Sequence, residues 1–469
     1  MKYRAEHDTL GEVKVPIDAY YGAQTQRACE NFQVSSLRLQ PAFIRAQAII
    51  KRAAALSNMA SGHLNQEAGK ALVQAADEVI TGQHDGQFVV DVFQAGAGTS
   101  QNMNMNEVLA NRATEILGGK KGDYSRVHPN DSANMGQSTN DTIPTAIHIS
   151  AYSEIHRHLF PAAARLEKAL TSKAKEFDGI IKCGRTHLQD AVPIRLGQEF
   201  GAYAHMIKQG RLRVEHAGDA LLEIPIGGTA VGTGLNTSAT YKRDVIRHIN
   251  KATGFRFRKA PNLFEAMQNL DAVVEVTGAL RVLVTSLTKI ANDLRLLSSG
   301  PRTGLGEIEL PAVQPGSSIM PGKINPVMAE MLNMVCCHAL GCDTAIQHAA
   351  QAGQLELNVM MPVVAYNLLL EIEILTGGMN GFTERCIRGI TADEKACRYY
   401  SERSAALATA LSPHIGYHKA AELAQKALDT KQTIRELVLA EKILPKDKLK
   451  DILDLYKMTE DPSNRKKQK

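Results

Sequence analysis

The sequence has no tryptophan, and its 12 tyrosines and 11 phenylalanines make up only 5% of 469 residues. A core without aromatic bulk must be filled by Leu, Ile, Val, Ala and Met. Straight-chain residues and alanine lose little freedom in a helix, so this composition favours a mainly α protein. Cysteine is sparse as well. Cys29, Cys183, Cys336, Cys337, Cys342, Cys386 and Cys397 are odd in number and form no Cys-x-x-Cys pair. That argues against a disulfide framework and for buried free thiols in a reducing compartment. No uncharged apolar run is long enough to span a bilayer, and the charged stretch Met1 to Asp8 lacks the apolar segment of a secretory signal. A soluble, cytoplasmic protein with no membrane partner is expected.

A strong excess of one charge is also missing. Lys and Arg number 54 against 49 Asp and Glu, a formal net charge of +5. Part of that surplus is the terminal Asn464-Arg465-Lys466-Lys467-Gln468-Lys469, read as a solvated tail. Without a basic stripe carrying interleaved aromatics, nucleic acid is not an expected partner. A mild positive balance suits a small anionic substrate such as a dicarboxylate.

What the chain does contain is helical periodicity over unusual lengths. Residues 1–140 mix loops with shorter amphipathic patterns at Leu37–Met59, Asn65–Thr81 and Asn104–Leu117. Residues 141–390 carry long patterns at Pro144–Phe177, Arg195–Glu223, Glu265–Leu297, Val327–Gln351 and Val359–Arg388. Helices of about 30 residues reach about 45 Å, a length suited to a bundle in which facing helices bury one another's apolar stripes. Residues 391–469 hold shorter patterns and read as a small C-terminal helical domain with a basic tail. Three domains are therefore expected, with boundaries near 140 and 390.

Polar, glycine-rich loops punctuate the long patterns at Lys182–Pro193, Ile226–Asn236 and Ser298–Asn325, and such loops are where function tends to sit. The most informative is Pro315-Gly316-Ser317-Ser318-Ile319-Met320-Pro321-Gly322-Lys323-Ile324-Asn325-Pro326. Glycine permits sharp backbone geometry and proline restricts the states sampled, which suits a loop that closes over a ligand. A serine hydroxyl becomes a base only where its alkoxide is stabilised, and Lys323 and nearby backbone N–H groups are natural supports. Taken alone, the stretch equally suits an ordinary connection between helices. Gly184-Arg185-Thr186-His187 places a histidine, the side chain best suited to proton traffic near neutral pH, in another loop. Gly98-Thr99-Ser100-Gln101-Asn102 and Gln137-Ser138-Thr139-Asn140-Asp141 cluster hydroxyls and amides ahead of expected helices. Free N–H groups there bind carboxylates, although plain N-capping uses the same residues.

Several chemistries are excluded. Ile226–Gly234 lacks the Gly-x-Gly-x-x-Gly order of a dinucleotide loop, and the Gly-Lys pair at 322–323 does not have P-loop spacing. There is no His-Glu-x-x-His, no Cys/His cluster, no carboxylate cage and no Gly-x-Ser-x-Gly elbow. Neither a cofactor nor a metal is expected.

Together, Gly316–Asn325, Gly184–His187 and Ser138–Asn140, in that spacing and order, resemble the aspartase/class II fumarase superfamily, and the resemblance runs from about Tyr3 to Leu455. It implies a three-domain fold whose central long helices form the twenty-helix core of a homotetramer, with active sites shared by three subunits. It implies Ser317 as the general base and His187 as a catalytic residue that contacts substrate and relays protons. Lys323, Asn325 and Thr186 would hold one carboxylate. Thr99, Ser138, Thr139 and Asn140 would bind the other carboxylate and the leaving group, and Glu330 would support His187. The segment His128, Asn130, Asp131 matches a secondary dicarboxylate site, with the arginine of that pattern displaced to Arg126.

Tyr20-Tyr21-Gly22, Gly98-Thr99-Ser100, Ser138-Thr139-Asn140, Asp293–Gly300 and Gly353–Met360 are similar to the aspartase branch, which releases ammonia from L-aspartate to give fumarate. His128–Asp131 and Gly227–Ala230 are nearer the hydratase branch, which interconverts fumarate and L-malate. Met361 departs from the aspartase pattern, which commonly has Glu there. A catalytically idle, structural member of the fold is a third reading, opposed by the intact polar set.

Overall fold

In the computed structural model, which describes residues 2–460, helices dominate and strands occur only in four two-stranded sheets. The expected basic tail at Asn464–Lys469 lies outside the described residues. A hairpin of β1 (Tyr3–Asp8) and β2 (Gly11–Pro16) leads into α1 (Ala23–Asn31), α2 (Pro41–Ala60), α3 (Gln66–Ile80) and α4 (Thr99–Ile116). Local chemistry sets these limits. Pro41 occupies the start of α2, where its missing N–H costs nothing. Asn65 caps α3 by accepting from the amides of Glu67 and Ala68.

The long pattern expected from Pro144 to Phe177 begins earlier and is not one uniform helix. It consists of α5 (Thr139–Glu154), a π turn (Ile155–Leu159) and α6 (Phe160–Glu176). Pro161 cannot donate to the carbonyl four residues back, and the wider turn just ahead of it accommodates that break. β3 (Ile181–Thr186) and β4 (Gln189–Arg195) then form a hairpin where only a loop was expected. Next come α7 (Leu196–Gly218), α8 (Ala239–Thr253), α9 (Leu263–Gln268), α10 (Asp271–Leu297), α11 (Val327–Gln351) and α12 (Met361–Arg385).

The expected Glu265–Leu297 helix is interrupted. Asn269 is extended, its side chain accepts from the Leu270 amide, and α10 starts afresh at Asp271. Helix α8 was not foreseen, although Ser238 caps it, left-handed Gly254 ends it, and Tyr241, Val245 and Ile249 bury one stripe. The last segment comprises α13 (Glu394–Arg403), α14 (Ala408–Ile415), α15 (Tyr417–Thr430) and α16 (Ile434–Ala440), with two shorter helices after them.

The chain divides into two units, each with its own interior. The first joins Met1–Pro161, Gly210–Val284 and Cys337–Thr376; the second joins Ala162–Gln209, Thr285–Cys336 and Gly377–Lys469. In the first, α2 packs against α3, α5 and α8 over Phe43, Ile44, Ile50, Ile147 and Val245. In the second, Leu411, Leu423, Ile434, Leu437 and Val438 form a separate apolar cluster. Each such side chain contributes about 1.5–3 kcal/mol on burial. None of the seven cysteines is in a disulfide: Cys183, Cys336, Cys342, Cys386 and Cys397 are buried, Cys29 is half-buried and Cys337 is exposed. Among the described residues no helix is long and apolar enough to cross a membrane.

Candidate active site

In the first unit the polar turn ahead of α5 is held from beneath. Ser138 caps the helix, its hydroxyl accepting from the Asn140 amide at 3.2 Å. Asp141 closes the capping box by accepting from the Ser138 amide at 2.9 Å. The other oxygen of Asp141 accepts from the amides of Gly227 and Thr229, both at 3.0 Å. The glycine-rich loop at 226–236 thus meets the buried carboxylate with two N–H groups. Gly227, at φ 90°, adopts a backbone that L side chains rarely allow. Asn140 reaches the same loop, donating to the Ala230 carbonyl at 2.8 Å. Burial pushes the Asp141 carboxyl up to about 6, against the pull of these amides and of Lys51.

Lys51 is itself buried, and desolvation lowers its ammonium to about 7, with Asp141 opposing that fall. It donates to the Asn134 side chain at 2.9 Å, and Asn102 donates both to that same oxygen and to the Thr139 hydroxyl at 3.1 Å. Lys51, Asn134, Asn102 and Thr139 therefore form one network behind the turn. Sequence reasoning did not single out Lys51, Asn134 or Asp141 as supports. The available signal was a charged residue on the apolar stripe of α2 and a Ser-x-x-Asp capping pattern.

Helix α4 starts at Thr99 rather than Asn104, so the polar run Ser100 to Asn104 lies within the helix instead of ahead of it. Gly98 turns the chain at φ 84° and leaves Thr99 exposed in the first turn. Gln101, Asn102 and Asn104 are buried and serve neighbouring segments: Gln101 donates to Gln47, and Asn104 to the Gln87 carbonyl. Gly96 packs against Val359, whose carbonyl oxygen would lie 1.9 Å from any Cβ there. Its own carbonyl accepts from the amide of buried Met361.

His128 caps a single π turn, its Nδ1 accepting from the amides of Asn130 and Asp131 at 3.2 Å each. Accepting there leaves no proton on Nδ1, so the Asp131 carboxylate 3.4 Å away is a neighbour in this tautomer rather than an ion-pair partner. Arg126 points its guanidinium at the Leu117 carbonyl.

The second unit carries the remaining candidates on two exposed features. At the β3–β4 turn, His187 and Leu188 have φ of 56° and 60°. A two-residue hairpin turn with both central residues left-handed matches the twist of its strands, but non-glycine residues there cost roughly 1–2 kcal/mol each. Thr186 pairs with Gln189 across the turn, and Thr186 and His187 are exposed.

The other feature is the Gly316–Asn325 loop. The Gly316 amide donates to the Lys323 carbonyl at 2.9 Å, and the Asn325 side chain donates to the Gly316 carbonyl at 2.7 Å. Only glycine fits at 316, because a Cβ would meet the Lys323 oxygen at 2.4 Å. Within that ring the Ser317 hydroxyl oxygen accepts from the amides of Ile319 at 3.2 Å and Met320 at 3.0 Å. Two N–H dipoles aimed at one oxygen stabilise negative charge on it. Lys323 is exposed, and Glu330 sits in the first turn of α11. Among the described residues no hydrogen bond or ion pair joins His187 to Glu330 or to the Ser317 loop. No group of three or more His, Cys, Asp or Glu side chains there is placed to hold a metal.

The helical fold and this set of polar loops have counterparts among known proteins. A family model described as Lyase matches residues 11–341, and one described as Fumarase C C-terminus matches residues 407–460. The chain belongs to the lyase family of the aspartase/class II fumarase superfamily. It is 50% identical over 458 residues to an aspartate ammonia-lyase of Bacillus subtilis (strain 168), covering 98% of this chain and 96% of that protein. It is 51% identical over 457 residues to a class II fumarate hydratase of Halobacterium salinarum, covering 97% of each. The crystal structure of a fumarate lyase:delta crystallin from Brucella melitensis bound to cobalt aligns with a TM-score of 0.95 at 47% identity, over 98% of this chain and 100% of that one.

Proposed function

We propose that this lyase is an aspartate ammonia-lyase, eliminating ammonia from L-aspartate to give fumarate. The observation that carries the chemistry is the Ser317 oxygen receiving two backbone N–H groups in an exposed loop. Those donors favour the alkoxide, the form that removes a proton from Cβ. Electron density from the broken C–H bond moves into the adjacent carboxylate, giving an aci-carboxylate. Its return forms the C=C bond as the Cα–N bond breaks and ammonia leaves. Because the Cβ proton is weakly acidic, stabilising that intermediate is the main catalytic task. Lys323, Asn325 and Thr186 take that carboxylate; Thr99, Ser138, Thr139 and Asn140 take the other carboxylate and the departing amine. His187 relays protons, with Glu330 behind it.

The preference for aspartate rests on Tyr20–Gly22, Gly98–Ser100, Ser138–Asn140, Asp293–Gly300 and Gly353–Met360, since identity to relatives of either specificity is nearly equal. The alternative, a class II fumarate hydratase acting on fumarate and L-malate, draws on His128–Asp131 and Gly227–Ala230. In either case the working form is a homotetramer with a twenty-helix core, each site assembled from three subunits, and with domains 1–140, 141–390 and 391–469. A cytoplasmic location goes with this reading.

Fumarate absorbance in the ultraviolet, followed with pure protein and either L-aspartate or L-malate, tests the assignment. Fumarate from aspartate alone is the expected result. Fumarate from malate alone would make the protein a hydratase.

A further inference from the structure

Glu307 is fully buried in the second unit, where it is one of four linked charged groups. One of its oxygens accepts from Arg185 at 2.9 Å. The other stands 3.0 Å from the Lys182 ammonium, within ion-pair range though not along a hydrogen-bond direction. Lys182, also buried, donates to Glu199 at 2.8 Å. Two carboxylates and two cations make a charge-balanced set whose centre, Lys182 and Glu307, is buried while Arg185 and Glu199 are partly exposed; removing Glu307 would leave the buried Lys182 poorly compensated. Backbone bonds fix Glu307 on both sides: its amide donates to the Leu297 carbonyl, and its carbonyl accepts from the Asp393 amide. The Arg185 guanidinium lies over the Tyr400 ring, 5.3 Å from its centroid.

Arg185 immediately precedes Thr186 and His187 at the tip of the hairpin. Beyond the strand pairing of Arg185 with Asp190 and Thr186 with Gln189, the tip packs on little, since Thr186, His187, Leu188, Gln189 and Asp190 are all exposed. Its two central residues also sit in a backbone region they disfavour. A buried carboxylate, held through its backbone and gripping the residue next to a strained, exposed turn, is an anchor for that turn.

We propose that Glu307 is a positioning residue for the elimination: through Arg185 it fixes the orientation of the Thr186-His187 turn. The inference rests on the reading of His187 as a catalytic residue. Misplacing a reacting group by about 1 Å costs on the order of 100-fold in rate. Glu307→Gln keeps the volume and one acceptor but removes the charge that holds Arg185 and Lys182.

The test is a double-mutant cycle on kcat, with KM and thermal midpoint measured on the same tetrameric preparations. Glu307→Gln is expected to lower kcat about 10- to 100-fold with KM changed less than about threefold. In a His187→Ala background the same substitution is expected to cost several-fold less than in the parent, because of the two groups the turn presents only Thr186 is left to be misplaced. Arg185→Gln should reproduce the loss and show the same non-additivity, and it carries the test if Glu307→Gln does not fold. Full kcat in Glu307→Gln beside an inactive His187→Ala would overturn the positioning role alone. Losses that multiply fully in the double variant would do the same. A fully active His187→Ala would overturn both the positioning role and the functional reading beneath it.

Discussion

The Gln137–Asp141 turn and the Gly316–Asn325 loop each gather small polar residues just ahead of a long helix, yet they are built in opposite ways. The first rests on a fully buried carboxylate that accepts from three backbone amides, with a buried lysine and two asparagines alongside. The second is closed by two hydrogen bonds at its neck and leaves Ile319 83% exposed and Ser317 only half-buried. A turn whose task is to present fixed donors gains from rigid, internally satisfied support. On the proposed reading, a loop that admits a substrate and then brings a base to it cannot bury its apolar residues beforehand. Low local stability is a usual property of segments that close over ligands.

That contrast can be broken at either end. Asp141→Ala would leave the buried amides of Gly227 and Thr229 and the half-buried amide of Ser138 without an acceptor, and a loss on the order of 3–5 kcal/mol is expected in denaturant unfolding. An unchanged midpoint would mean that the turn does not depend on its buried carboxylate. Next in size is a pH effect at Glu371, which is buried with neither oxygen hydrogen-bonded. Burial, with Asp343 on α11 adding to it and Arg281 on α10 opposing, pushes its carboxyl up to about 9.

The unfolded chain gives up this proton in the ordinary carboxylate range, whereas the folded chain keeps it until about 9. Between those limits the folded state binds more protons, so this group's contribution to stability falls as pH rises. Glu371→Gln, which has no proton to lose, should flatten that slope when thermal midpoints are compared across the interval. An unaltered slope would place the titration elsewhere. The smallest effect belongs to the exposed loop. Ile319→Ser should change stability by less than about 0.5 kcal/mol, as is usual for a side chain with nothing packed on it. A large loss would show that the loop is held by more than its neck.

The sequence carried some of this plainly. Val327–Gln351 was legible from end to end, because uninterrupted apolar periodicity leaves little choice of structure and Pro326 marks the start. The polar segments at 138–140 and 317–325 stood out because glycine, proline, serine and asparagine crowd together around them, and 186–187 because a threonine and a histidine follow Gly184-Arg185. What escaped depends on partners far along the chain. Asp141 reads as a routine cap until Gly227 and Thr229 are seen to face its second oxygen, 86 and 88 residues away. Glu307 reads as one acidic residue in a long loop until Arg185, 122 residues earlier, is seen to grip it. The β3–β4 hairpin was hidden because its strands mix charged residues such as Lys182, Arg185, Asp190 and Arg195 with few apolar ones, and its turn uses His-Leu instead of the usual Asn-Gly.

The most direct measurement is turnover and thermal midpoint of Ser317→Ala beside the parent protein. Loss of the base in the exposed loop is expected to reduce kcat about 10³- to 10⁴-fold while the midpoint and the assembly stay unchanged. Near-full turnover in that variant would contradict Ser317 as the group that takes the proton.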